Sequence, residues 1–335
     1  MALTKVTTGT IADDSIQSLK NRNLVINGAM QVAQRGTSQA GITGPAQFVV
    51  DRMRTGFTLG TGAYTLNHST NAPDGFANSY HIDVTTAMTL GGASDGCGMV
   101  QLLEGQDLQH IKKGTADAES LTLSFWIKST KTGTYIAELY DFDNARHISK
   151  SYTVNSSNTW EKKEITFPGD TTGSLDNDNL ASFGLLLFFS AGTNYTSGTL
   201  NTSWGSNVTA NRAVGQVNAL DSTSNDIYIT GVQLEVGDVA TPFEHKVFSD
   251  ELARCMRYFE AEVPTWGTPR SSDNVIHSPG YFKVQKRSTP TMTLVLDTYS
   301  KNPSIQKVNA DYYVTYVTGT ASTSLDATFD ADAEL

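Results

Sequence analysis

The segment Gly92-Ala93-Ser94-Asp95-Gly96 has the G-x-S-x-G spelling of a hydrolase nucleophile elbow. That elbow requires a strand before the serine, a helix after it and an α/β frame. Here the flanks are Gly-rich and β-like, so the segment is read as a loop. The acid pairs Asp141 with Asp143 and Asp176 with Asp178 come next. Two carboxylates about 5–9 Å apart could cleave a glycosidic bond, and the same loops could hold calcium. Neither matches the spacing of an EF-hand loop, and short Asp/Asn clusters commonly serve turns for backbone reasons. No catalytic residue and no metal ligand is assigned, and no cofactor is expected.

The histidines His68, His81, His110, His147, His245 and His277 form no H-E-x-x-H and are read as surface or hydrogen-bonded structural residues. Cys97 and Cys255 stand far apart and are read as buried free thiols. Glycan binding needs a flat aromatic for the apolar face of a sugar, beside amides or carboxylates for its hydroxyls. Trp204, Tyr195 and Trp266 lie in polar, Asn- and Ser-rich surroundings and are the candidate carbohydrate-binding residues. The alternative for each is a half-buried loop anchor or a subunit contact.

The elements that must hold these residues are strands. Hydrophobic residues make up 39% and charged residues 17% of the 335, both low for a globular chain, with Thr, Ser, Gly and Asn in their place. The runs VVDRMRTGFTL, SYHIDV, LTLSFWIKS, TYIAELYD, TWEKKEITF, SFGLLLFFS and NDIYITGVQLEVG are bounded by turn formers. In LTLSFWIKS, Leu121, Leu123, Phe125 and Ile127 alternate with Thr122, Ser124, Trp126 and Lys128, as in a strand with one buried face. Such a set predicts an all-β, jelly-roll β-sandwich over residues 24–246. Phe183–Phe189 is apolar on both faces, so its strand lies centrally under cover or against another subunit.

A linking helix is expected over 247–262, with Ser249 as N-cap and Leu252, Met256 and Phe259 on its apolar stripe. Beyond it YFKVQKRS, TMTLVLD and ADYYVTYVTG read as strands of a small C-terminal β-domain, residues 263–335. Residues 1–23 are polar and aperiodic and read as an extended arm. The net charge of −10 offers no field for phosphates, so nucleic acid is not an expected partner. No apolar run reaches the roughly 18–20 residues of a membrane span, and the N-terminus has no signal-peptide core.

NLVINGAMQVAQRGT followed by FVVDRMR resembles the start of the jelly-roll domain of bacteriophage tail-fibre and receptor-binding proteins. VQLLEGQDLQHIKKGTADAESLTLSFWIKSTKTGTYIAELYD and DIYITGVQLEVGDVATPFEHKVFSDELARCMRYFE are similar to the same family, whose jelly roll is similar to carbohydrate-binding modules. The resemblance implies a homotrimeric virion protein, made in the host cytoplasm and displayed on the tail, that attaches to host surface polysaccharide. LTKVTTGTIADDSI looks like a virion-anchoring peptide, with Leu3, Val6, Ile11 and Ile16 as its apolar contacts to tail or adaptor proteins. Related modules often carry a calcium-binding Asp where Thr230 and Gly231 stand here, so calcium is not carried over. Two rival roles remain open: a head-decoration or tail-assembly protein, and a polysaccharide depolymerase.

Overall fold

The computed structural model describes residues 21–267, 275–298, 302–318 and 325–335. The anchoring contacts Leu3, Val6, Ile11 and Ile16 lie outside the described residues. The first body contains β1 (Ser38–Ile42), β2 (Arg54–Gly56), β3 (Ala63–Ser69), β4 (Ser79–Thr86), β5 (Gly96–Glu104) and β6 (Leu121–Ser129). It continues with β7 (Gly133–Asp141), β8 (Arg146–Val154), β9 (Glu161–Phe167), β10 (Ala181–Ala191), β11 (Gly205–Ser206) and β12 (Asp226–Val236).

One sheet has the order β1-β3-β4-β12-β6-β9 and the other β11-β8-β7-β10-β5-β2. The chain changes sheet between β1 and β2, β2 and β3, β4 and β5, β5 and β6, β6 and β7, β8 and β9, β9 and β10, and β11 and β12. This is the winding of a jelly roll, all-β as expected. Period-2 alternation sets the core: Leu123, Phe125 and Ile127 of β6 and Ile227 and Ile229 of β12 face Tyr135, Leu139, Leu185 and Leu187 of the second sheet. The apolar run of β10 is explained on both sides. Leu185 and Leu187 enter the core, while Leu186 and Phe188 on the outer face lie under Tyr195, Leu200 and Ala213 of the chain's own long loop. Cover for this strand therefore comes from within the same chain.

The expected arm boundary at residue 23 differs from the fold. Asn23 is buried, its Nδ2 donating to Val232 O at 2.9 Å and its Oδ1 accepting from Leu234 N at 3.1 Å. A side-chain amide there pairs with a strand backbone that has no further neighbour, so residues 21–23 belong to the sandwich.

The helix is also shorter than expected, spanning Phe248–Met256. Its N-cap is Val247 without a side-chain hydrogen bond, so Ser249 does not cap it, and Glu251 and Cys255 are its buried residues. The Glu251 carboxylate goes inward because it accepts the buried backbone N–H of Asn27 at 2.9 Å. Phe259, expected on the helical stripe, already belongs to a strand.

Beyond the helix come β13 (Phe259–Gly267), β14 (Val275–Tyr281), β15 (Thr291–Asp297), β16 (Ser304–Val308), β17 (Tyr312–Thr318) and β18 (Leu325–Asp332). They form two three-stranded sheets, β13-β18-β15 and β14-β17-β16, closed around Val263, Phe282, Tyr313 and Ala331. YFKVQKRS is not the strand it was read to be. Past Tyr281 it is irregular, because its charged side chains are drawn into the joint between the bodies. Lys286 Nζ donates to Met256 O at the helix end and to Glu260 Oε2 at 2.6 Å. Arg287 donates to Asn179 O at 2.9 Å.

The same joint holds Glu104, bound by Arg257 at 2.9 and 2.7 Å and by the Tyr258 hydroxyl at 2.6 Å. Arg52 pairs with Glu334 and lies 3.5 Å over the Tyr258 ring.

Candidate functional site

The residues singled out for chemistry serve the scaffold. Ser94 Oγ accepts a hydrogen bond from Asn194 Nδ2 at 2.8 Å, in a turn that leads into β5 rather than into a helix. Asp143 accepts the backbone N–H of Asp176 at 2.9 Å, and Asp178 that of Leu180 at 2.9 Å. Asp141 is fully buried and holds the Lys113 ammonium at 2.5 Å. That ammonium also meets Asp170 Oδ2 at 3.1 Å, Thr172 O at 3.0 Å and Gly173 O at 2.8 Å. Four oxygens around one buried cation make an internal ion site, built from the end of β7 and the loop after β9.

The three aromatic candidates share no contacts. Trp204 is half-buried, donates from Nε1 to Pro168 O at 2.7 Å and covers Lys113, whose Nζ lies 5.6 Å from its ring. It roofs the internal ion pair, which is the anchor alternative. Tyr195 packs edge-on against Phe57 at 5.2 Å and beside Arg212 at 5.8 Å, over the outer face of the second sheet. Trp266, on β13, is 76% exposed and stands on the C-terminal domain. Both thiols are buried and free, and burial pushes the Cys97 thiol up to about 12. Among the described residues no group of three or more His, Cys, Asp or Glu side chains is placed to hold a metal.

The structure instead assembles a row across the outer face of the first sheet. Register places Asn67 of β3 opposite His81 of β4, His81 opposite Tyr228 of β12, and Tyr228 opposite Lys128 of β6. Trp160, just before β9, continues the row beyond Lys128. The His81 and Tyr228 rings are stacked at 3.9 Å and 4°. Lys128 Nζ lies 4.6 Å from the Tyr228 ring and 5.9 Å from that of Trp160. His81 Nε2 contacts Asp226 Oδ1 at 2.8 Å, and Asn67 contacts His81 Nδ1 at 3.4 Å.

Five strands at roughly 4.8 Å spacing make a row of about 19 Å, the reach of a short oligosaccharide. Stacking and hydrogen bonding between neighbours fix the rotamers, so little order is lost when a ligand settles on the row. Alternation could have found these residues. His81, Tyr228 and Lys128 are the outward positions of SYHIDV, NDIYITG and LTLSFWIKS, but only strand pairing reveals that they align.

At the level of sequence, no described family and no curated protein matches the chain. Several solved structures are similar in fold. The enzymatically active domain of tailspike protein 4 from bacteriophage CBA120 is 15% identical, covers 64% of this chain and 21% of its own, and has a TM-score of 0.33. A putative sugar binding protein from Bacteroides thetaiotaomicron VPI-5482 is 11% identical, covers 64% and 99%, and scores 0.34. TmCBM61 in complex with β-1,4-galactotriose is 10% identical, covers 64% and 99%, and scores 0.31. This chain thus spans about a fifth of the tailspike chain. The likeness is loose at these scores, and the sandwich assignment rests on the strand orders above.

Proposed function

We propose that this chain is a glycan-binding attachment protein of a bacteriophage tail. The observation that carries the glycan reading is the row from Asn67 to Trp160: polar and aromatic side chains aligned by register across five adjacent strands of one sheet. Long carbohydrate chains present alternating apolar faces and hydroxyls, and a row of this composition matches that pattern. The virion role rests on the sequence resemblance. In it, the residues before 21 reach the particle, three chains associate, and the jelly roll and C-terminal domain face the host.

Binding rather than hydrolysis fits the acids at hand, since Asp141, Asp143 and Asp178 are spent on Lys113 and backbone N–H groups. Three weak sites on one rigid particle gain by effective concentration, so modest affinity per site suffices for attachment.

The test is binding of the purified chain to immobilised bacterial surface polysaccharides, with mass photometry on the same sample. Trimers whose binding is lost on Trp160→Ala or Tyr228→Ala are expected. A stable monomer would remove the trimer, and trimers that bind no glycan would turn the role towards a purely structural virion component.

A further inference from the structure

The row has one charged group without an oxygen partner among the described residues, and that group is a cation. Asn67 and His81 are engaged with each other, with Ser38 and with Asp226. The Tyr228 ring is covered by His81 on one face and approached by Lys128. The Lys128 ammonium rests between the Tyr228 and Trp160 rings and has no oxygen partner among the described residues. Three nearby pairs are made: Lys162 with Glu164 at 2.7 Å, Lys163 with Glu161 at 2.5 Å, and Asp226 with His81. Asp226, two residues from Tyr228 along β12 with Asp83 opposite it, lies diagonal to Lys128 and near enough to favour its charge, but its carboxylate is in contact with His81 rather than with Lys128.

An ammonium carries three donors and no acceptor. Two rings hold the ammonium in place, and its donors, without an oxygen partner among the described residues, call for an acceptor of opposite charge. We propose that the glycan recognised by this face is acidic, and that Lys128 contacts its anionic oxygen group, a carboxylate or a phosphate, while Trp160 supports the adjoining sugar ring. This inference rests on the glycan reading above and specifies its ligand class. The excess negative charge of the chain makes the choice informative, because such a ligand is repelled by most of the remaining surface.

The experiment uses the full chain and a panel of immobilised bacterial polysaccharides in three forms: native, carboxyl-reduced with carbodiimide and borohydride, and dephosphorylated with hydrofluoric acid. Wild type, Lys128→Gln and Lys128→Arg are compared, with circular dichroism to confirm that each is folded. The expected result is binding to one acidic polysaccharide, lost with the chemical treatment that removes its anion. Affinity falls about tenfold to a hundredfold in Lys128→Gln, is largely restored in Lys128→Arg, and weakens with salt.

Binding that survives both treatments and is unchanged in Lys128→Gln overturns the inference and leaves the glycan reading standing. An absence of binding to every polysaccharide overturns both.

Discussion

Arg52 and Glu334 are ion-paired across 282 residues of sequence, with side chains only 2% and 7% exposed. Arg52 also donates to Leu102 O at 2.6 Å, so one guanidinium ties the jelly roll to the last residues of the C-terminal domain. Removing one partner of a buried pair leaves an uncompensated charge, at a cost of about 3–5 kcal/mol. Arg52→Met is expected to destabilise the protein by that amount in urea unfolding. An unchanged midpoint would show that the two bodies do not depend on this clasp.

Lys113 is expected to behave as a resident cation. Lys113→Ala leaves the buried Asp141 carboxylate without its cation, while Asp170 keeps Arg146 at 2.8 and 2.9 Å, and should cost about 3–5 kcal/mol. The vacated site keeps two carboxylates and two carbonyls, an oxygen set suited to calcium. Millimolar calcium should therefore raise the melting temperature of the variant and leave that of wild type unaltered, which a thermal scan with and without EGTA measures.

Trp204 and Trp160 should separate stability from binding. Trp204→Ala uncovers the internal ion site and should cost about 3 kcal/mol, the low end for truncating a packed tryptophan, with glycan affinity unchanged. Trp160→Ala should leave stability within about 1 kcal/mol, the usual scale of a surface change, and lower glycan affinity at least about tenfold. Denaturation and polysaccharide binding on the same two proteins give the comparison.

Acid should loosen the loop between β8 and β9. Burial works against the Glu161 charge, but the Lys163 ammonium, the backbone N–H groups of Ser156 and Asn155 and the Asn155 amide hold its carboxyl down to about 2. A carboxyl depressed on folding contributes stability that is fully present above its ordinary value of about 4.5 and is lost as pH falls towards about 2. Glu104 and Asp170 are also shifted down by their arginine and lysine partners and add to the same acid loss. Asp51, raised chiefly by burial, works the other way. The melting temperature should drop between pH 4.5 and 2.5, and less steeply in Glu161→Gln.

Much of the sandwich was legible because period-2 alternation is a local property. LTLSFWIKS, TYIAELYD and NDIYITGVQLEVG became β6, β7 and β12, and Leu121, Leu123, Phe125 and Ile127 of β6 face inward as expected. A strand such as GCGMVQLLE in β5 was not readable, since packing on both faces erases the period. YFKVQKRS misled because Lys286 and Arg287 answer to partners in the joint rather than to the strand pattern. The candidate row was illegible for a different reason. Its members come from strands up to 161 residues apart between Asn67 and Tyr228, and their alignment exists only once register is set.

Strand β12 carries two things at once. Its far half receives Asn23 and Leu24 at Val232 and Leu234, where the chain enters the body. Its near half carries Tyr228, at the middle of the row. On the attachment role proposed above, a pull between the N-terminal side of Asn23 and a ligand held at Tyr228 would load this one strand. That load would fall chiefly on the ladder to β6, which runs from Ile227 to Val236, because the ladder to β4 holds only Asp226–Ile229. An attachment of that kind would be only as strong as one pair of strands.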